Sequence, residues 1–191
     1  MAQSLREKRR RELERQRRQR RLLVGVAVVV VVLVAGFFIY RATQQQISGL
    51  QTFDGLSRDH AVNVSIPETG LPPAGGTHNP RWLNCGVYEQ PVETMQAVHS
   101  LEHGAVWLTY HPDLSQDAIA TVEAYAEGDS FVLVSPYPGL ESDVVATAWG
   151  AQLQIDELPD ERIEQFIARF RGQGPEPGAQ CSGGVGAPRG S

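Results

Sequence analysis

The sequence predicts an α+β domain carried behind a single N-terminal transmembrane helix. Three observations lead there. Leu22 to Tyr40 is an uncharged, mostly aliphatic run of 19 residues. Short period-two segments then alternate with 3.6-period segments across roughly 115 residues. Both ends of that stretch are polar or rich in Gly and Pro, as domain borders are.

At 1.5 Å per residue the apolar run measures about 28 Å as a helix, close to the roughly 30 Å hydrocarbon thickness of a bilayer. Residues 1–21 carry ten of the 17 basic side chains against Glu7, Glu12 and Glu14, whereas only Arg41 flanks the other side before Arg58. Positive-inside bias therefore predicts a cytoplasmic N-terminus and an extracytoplasmic C-terminal domain at the plasma membrane. The run ends in Phe37, Phe38 and Tyr40 rather than in a small-x-small site, so an uncleaved signal-anchor is expected. The basic tail is explained by topology, and no nucleic-acid partner is expected. Beyond it the chain has seven basic and nineteen acidic side chains, about −12, a surface that repels nucleic acid and concentrates cations.

The remaining elements follow in order. Residues 41–57 are polar and Gln-rich and are expected to form a stalk, leaving 58–171 as the domain. His60 to Ile66 alternates at period two and predicts a strand. Pro67 to Pro80 holds four prolines and three glycines and predicts a loop. Gly86 to Glu89 predicts a short strand. Pro91 to His103 has an early Pro, Glu93 near its start and Gly104 just past its end, and predicts a short helix. Ala105 to Tyr110 predicts a strand. Leu114 to Glu127 predicts a helix burying Ile119, Val122 and Ala126. Phe131 to Ser135 predicts a strand, and Val144 to Ile155 two strands joined by a tight turn near Gly150. Pro159 to Arg171 predicts a helix facing inward with Ile163, Phe166, Ile167 and Phe170. The sheet is expected to be small and mixed or antiparallel, with two to three helices. Residues 172–191 are expected to be irregular and tied only by Cys181.

The chain has two cysteines, Cys85 and Cys181, both on the predicted outer side. A disulfide is the simplest reading in an oxidising compartment, with metal ligation the alternative for Cys85. All five histidines are also on that side. His99-Ser-Leu-Glu-His103 sets two imidazoles one helical turn apart, and its letters match the inverted zincin signature H-x-x-E-H. His78 stands in a loop stiffened by Pro and Gly, a suitable third ligand. His60 is a candidate fourth, and Glu102 a candidate partner orienting a ligand from behind. His111 reads as an ordinary surface residue. Met95 continues the His99–His103 stripe and would favour copper, unless it only packs in the core. The same histidines can instead form a hydrogen-bonded network without metal. Ser100 lacks the context of a nucleophile.

Three strings, PPAGGTHNPRWLNCGVY (Pro72 to Tyr88), AVHSLEHGAVWLTY (Ala97 to Tyr110) and VVATAWG (Val144 to Gly150), together with the Pro-Gly-Cys tail around Cys181, resemble a bacterial family known as domain of unknown function 3105, common in actinobacteria. Ala74 departs from the Ser often found there. The resemblance implies a membrane-anchored exported protein of undefined activity, and it singles out His78, Cys85, His99, Glu102 and His103. The expected function is binding of copper or zinc through the histidine cluster. The alternatives are a zinc hydrolase with Glu102 as base, and an accessory subunit of a larger membrane complex.

Overall fold

A computed structural model describes residues 17–18, 20–38, 47–66, 70–176 and 178–190. Helix α1 (Arg20–Phe38) is long and apolar enough to cross a membrane, with a mean hydropathy of 2.7 over its best window. A signal sequence near an N-terminus meets the same description. The chain divides into two units, Met1–Gln46 and Ile47–Ser191.

The second unit is α+β. Its elements are β1 (Gln51–Thr52), β2 (Gly86–Val87), α2 (Thr94–Glu102), β3 (Val106–Tyr110), α3 (Gln116–Ala124), β4 (Val132–Pro136), β5 (Val144–Ala148), β6 (Ala151–Ile155) and α4 (Arg162–Phe170). They build one six-stranded mixed sheet in the order β1-β6-β5-β3-β4-β2. β3 and β4 run parallel through the α3 crossover, β2 is parallel to β4, and the other pairs are antiparallel.

The central strands are buried on both faces, which explains their nearly continuous apolar sequence. Val106, Leu108 and Tyr110 of β3 pack with Val122 of α3 and Ile163, Phe166 and Ile167 of α4. Trp107, between them, faces the opposite side and packs with Ala97 and Leu101 of α2, Leu133 and Cys181. Helix α2 therefore lies across the sheet from α3 and α4. Its start is capped by the Glu93 carboxylate, which accepts from the amides of Met95 and Gln96.

Two expectations are corrected. His60 to Ile66 is not a strand: only His60 pairs, in an isolated bridge to His78, while Val62 and Ile66 are exposed. Alternation makes a strand only where a neighbour pairs with it and one face is buried, and here Val62 and Ile66 find no core to cover them. Conversely, part of the 41–57 stretch belongs to the globular unit. Ile47 is buried, and Gln51 and Thr52 pair with Gln152 and Ala151. The stretch 41–46 lies outside the described residues. Residues 172–190 contain no strand or helix among those described, yet they pack closely on the site described next.

Candidate metal centre

Helix α2 ends where the chemistry begins. His99, Glu102 and His103 occupy its last turn and C-cap, positions i, i+3 and i+4, so all three project to one side. The loop bearing His78 meets them from the front. That loop is held by Gly150 N–H donating to Ala74 O at 2.7 Å and the Gln152 amide donating to Pro72 O at 2.7 Å. Gly75, at φ +137°, has no room for a side chain: a Cβ there would come within 2.8 Å of Leu56 and 3.1 Å of Trp149. His60 arrives beside His78 through their bridge, in which Ala61 N–H donates to His78 O and His78 N–H to Asp59 O.

Four imidazoles converge. His99 is central, with ring centroids of His60, His78 and His103 at 4.8, 4.9 and 4.7 Å. Three of the rings are oriented in one way. Nδ1 of His78 lies 2.7 Å from Gly76 O, Nδ1 of His99 2.7 Å from Asn79 O, and Nδ1 of His103 2.8 Å from Gln180 O. A carbonyl only accepts, so each Nδ1 carries its proton, and in the neutral ring Nε2 presents a lone pair.

Glu102 is 1% exposed. Its Oε1 accepts from Arg58 Nε at 2.9 Å, while Oε2 lies 3.0 Å from His78 Nε2 and 3.4 Å from His60 Nε2. Burial pushes this carboxyl up, but the Arg58 hydrogen bond and the positive charge of His78, Arg58 and His60 outweigh it and hold the group below its ordinary value. His99 is also pushed down. Burial is the main cause, opposed by the Asn79 carbonyl and reinforced by His103, His78 and His60.

The donors fall into two groups in which all ligand atoms lie within 4.8 Å of one another: His60, His78, His99 and Glu102, and then His99, His103 and Glu176. Two ligands 2.0–2.1 Å from a tetrahedral ion stand about 3.3 Å apart. The His60–Glu102, His78–Glu102 and His103–Glu176 contacts, at 3.4, 3.0 and 3.3 Å, match that edge length.

The trio His78, His99 and His103 expected from sequence is thus divided, with His103 joining His99 and Glu176 rather than His78. The His103 ring is turned by its bond to Gln180 O on the C-terminal tail. Glu102, expected behind the ligands, has Oε2 among the donors because it is only three residues from His99 on the same helix. His111 stays apart, beside Asp113. Met95 is buried at 5% exposure. Cys85 and Cys181 are 1.98 Å apart and form the disulfide, so neither offers a thiolate.

Sequence reasoning missed Arg58 and Glu176. Arg58 stands two residues before His60, the spacing that places both on one side of an extended segment. Glu176 gives no local signal. It is the lone acid in a Pro/Gly-rich run, and only the tie of Cys181 to Cys85 hints that this run returns to the site.

Over residues 61–183 the chain matches the model of the family described as Protein of unknown function (DUF3105). The chain belongs to this family. The matched stretch takes in His78, Cys85, His99, Glu102, His103, Glu176 and Cys181, while Arg58 and His60 lie just ahead of it. No curated protein and no solved structure matches the chain.

Proposed function

We propose that this DUF3105 protein is a membrane-anchored, extracytoplasmic metal-binding protein that holds one zinc(II) or copper(II) ion through His60, His78, His99 and Glu102. The observation that carries the reading is the shared use of Nδ1. Backbone carbonyls fix the rings of His78 and His99 so that Nε2 is the nitrogen turned toward the other donors, with a buried carboxylate oxygen in the same group and 3.0 Å from His78 Nε2. Hydrogen bonding of one ring nitrogen to a carbonyl is the usual way a protein orients a histidine ligand. A donor set of nitrogen and carboxylate oxygen, with both cysteines oxidised, suits zinc(II) or copper(II) better than copper(I). The basic N-terminal flank, the uncharged run from Leu22 and the disulfide together support an N-in anchor with the domain outside.

Hydrolysis is not part of this reading. The base that H-x-x-E-H chemistry needs is Glu102, whose two oxygens already serve Arg58 on one side and His60 and His78 on the other. Handling or sensing of the ion fits better than turnover.

The test is calorimetric titration of the detergent-solubilised full chain with zinc and copper(II). One ion per chain should bind at about micromolar affinity or tighter, and His99→Asn should weaken it by about 100-fold, the upper range for disturbing a metal shell. Absence of binding, or binding unchanged in His99→Asn, would overturn the reading.

A further inference from the structure

The two donor groups share a residue, and that residue has one nitrogen to give. Nδ1 of His99 is engaged by Asn79 O, so only Nε2 is free to serve His60, His78 and Glu102 on one side or His103 and Glu176 on the other. Its near-equal spacing from the rings of His60, His78 and His103 puts it at the pivot. A neutral imidazole nitrogen has a single lone pair and cannot bind two ions at once.

The two sides differ in build. The inner group offers four donors, one a carboxylate only 1% exposed. The outer group offers three, and its carboxylate, Glu176, is 39% exposed. Three protein ligands leave an open coordination position for water or for the ligand of an incoming complex, whereas four close a tetrahedral shell. The outer group is also assembled deliberately. Glu176 N–H donates to Glu102 O at 3.1 Å, His103 Nδ1–H to Gln180 O, and Gly174 lies so close to the end of α2 that a Cβ would meet Glu102 O at 2.1 Å.

We propose that His99, His103 and Glu176 form a second, outer position for the same divalent ion, through which it passes to or from the inner four-donor site by exchanging ligands around His99. The proposal rests on the metal-binding reading above. Each transfer keeps the His99–metal bond while His103 and Glu176 are traded for His60, His78 and Glu102, so the ion never has to leave as a bare aqueous cation. No electron changes hands, and one ion per chain is the limit.

Two tryptophans report on the two positions. The Trp82 ring lies 4.9 Å from His103 and 5.8 Å from His99, over the outer pair, whereas Trp149 lies 5.5 Å from His78, on the inner side. Copper(II) quenches nearby indole fluorescence, so rapid mixing of the full chain in detergent with copper(II) follows the ion inward. The expected result is two phases, the faster absent in Trp82→Phe and the slower absent in Trp149→Phe. Glu176→Gln should slow the fast phase about tenfold, the effect of removing one group at a metal site. His103→Gln, read by the same two phases, is the second variant. A single phase that Glu176→Gln leaves unaltered, or two copper ions bound per chain, would overturn the relay while the metal-binding reading stands. No copper binding at all would overturn both.

Discussion

Removing the disulfide by the double substitution Cys85→Ala/Cys181→Ala tests how the C-terminal tail is held. The two residues are 96 positions apart, so the cross-link closes about two thirds of the globular unit. In the chain-entropy model a loop of that length raises the free energy of the unfolded state by up to about 4.7 kcal/mol. The native tail keeps bonds of its own: Gly172 N–H to Gly104 O, Glu176 N–H to Glu102 O, Val185 N–H to Trp82 O and Arg189 N–H to Val87 O. The loss should therefore fall on the unfolded state, with the fold intact. Urea denaturation is the assay. With a slope of about 2 kcal/mol per molar, the midpoint should drop by about 2 M. Metal binding at the inner group should survive, because none of its ligands is on the tail. A loss below about 1 kcal/mol would refute the entropic argument, and loss of the inner site would refute the separation of the two donor groups.

The metal-free protein should lose stability as pH falls from about 7 to 5. His99 and Glu102 both have folded pKa values below their ordinary 6.5 and 4.5, so the unfolded chain binds more protons and stability rises with pH across each window. The His99 contribution is complete above about pH 6.5 and is lost below it, and that of Glu102 follows in the more acidic range. Melting temperature in the presence of chelator should show both. His99→Gln should flatten the upper part alone, and a flat profile in the parent protein would refute the assignment. Gly174→Ala should cost about 1–3 kcal/mol, since the added carbon meets the backbone at Glu102 O and Gly104 N, at 2.1 and 2.3 Å, rather than a side chain that can swing away. A urea-measured loss within about 0.5 kcal/mol would show that the tail shifts freely.

The central strands were legible in sequence because burial on both faces leaves an apolar run that needs no context. β3 through β5 fall where that pattern lies, β6 alternates beside them, and α4 presents Ile163, Phe166 and Ile167 to the core at helical spacing. Edge elements were not legible. β1 consists of Gln51 and Thr52, whose side chains are exposed and whose place is fixed by backbone hydrogen bonds to β6. His60 to Ile66 shows the opposite failure, a correct alternation whose apolar side chains Val62 and Ile66 stay exposed. Backbone pairing is a property of the partner as much as of the strand, and one segment does not carry it.

The histidines of the site were legible for a different reason: they are few, and three stand in segments whose Gly, Pro and helix-end residues restrict where they can point. What the sequence does not carry is how they divide. That division depends on three chain segments crossing at the last turn of α2. The extended 58–60 segment brings Arg58 to one oxygen of Glu102 and His60 to the other, and the His78 loop adds a second ring to that oxygen. The tail brings Gln180 O and Glu176 to His103 from the far side. A carboxylate buried at 1% exposure is stable only when its lone pairs are matched, so the cations and imidazoles around Glu102 answer a cost that its burial creates. Arg58 donates to one oxygen. The other faces the Nε2 atoms of His60 and His78, and is the oxygen a metal ion would take over from those rings.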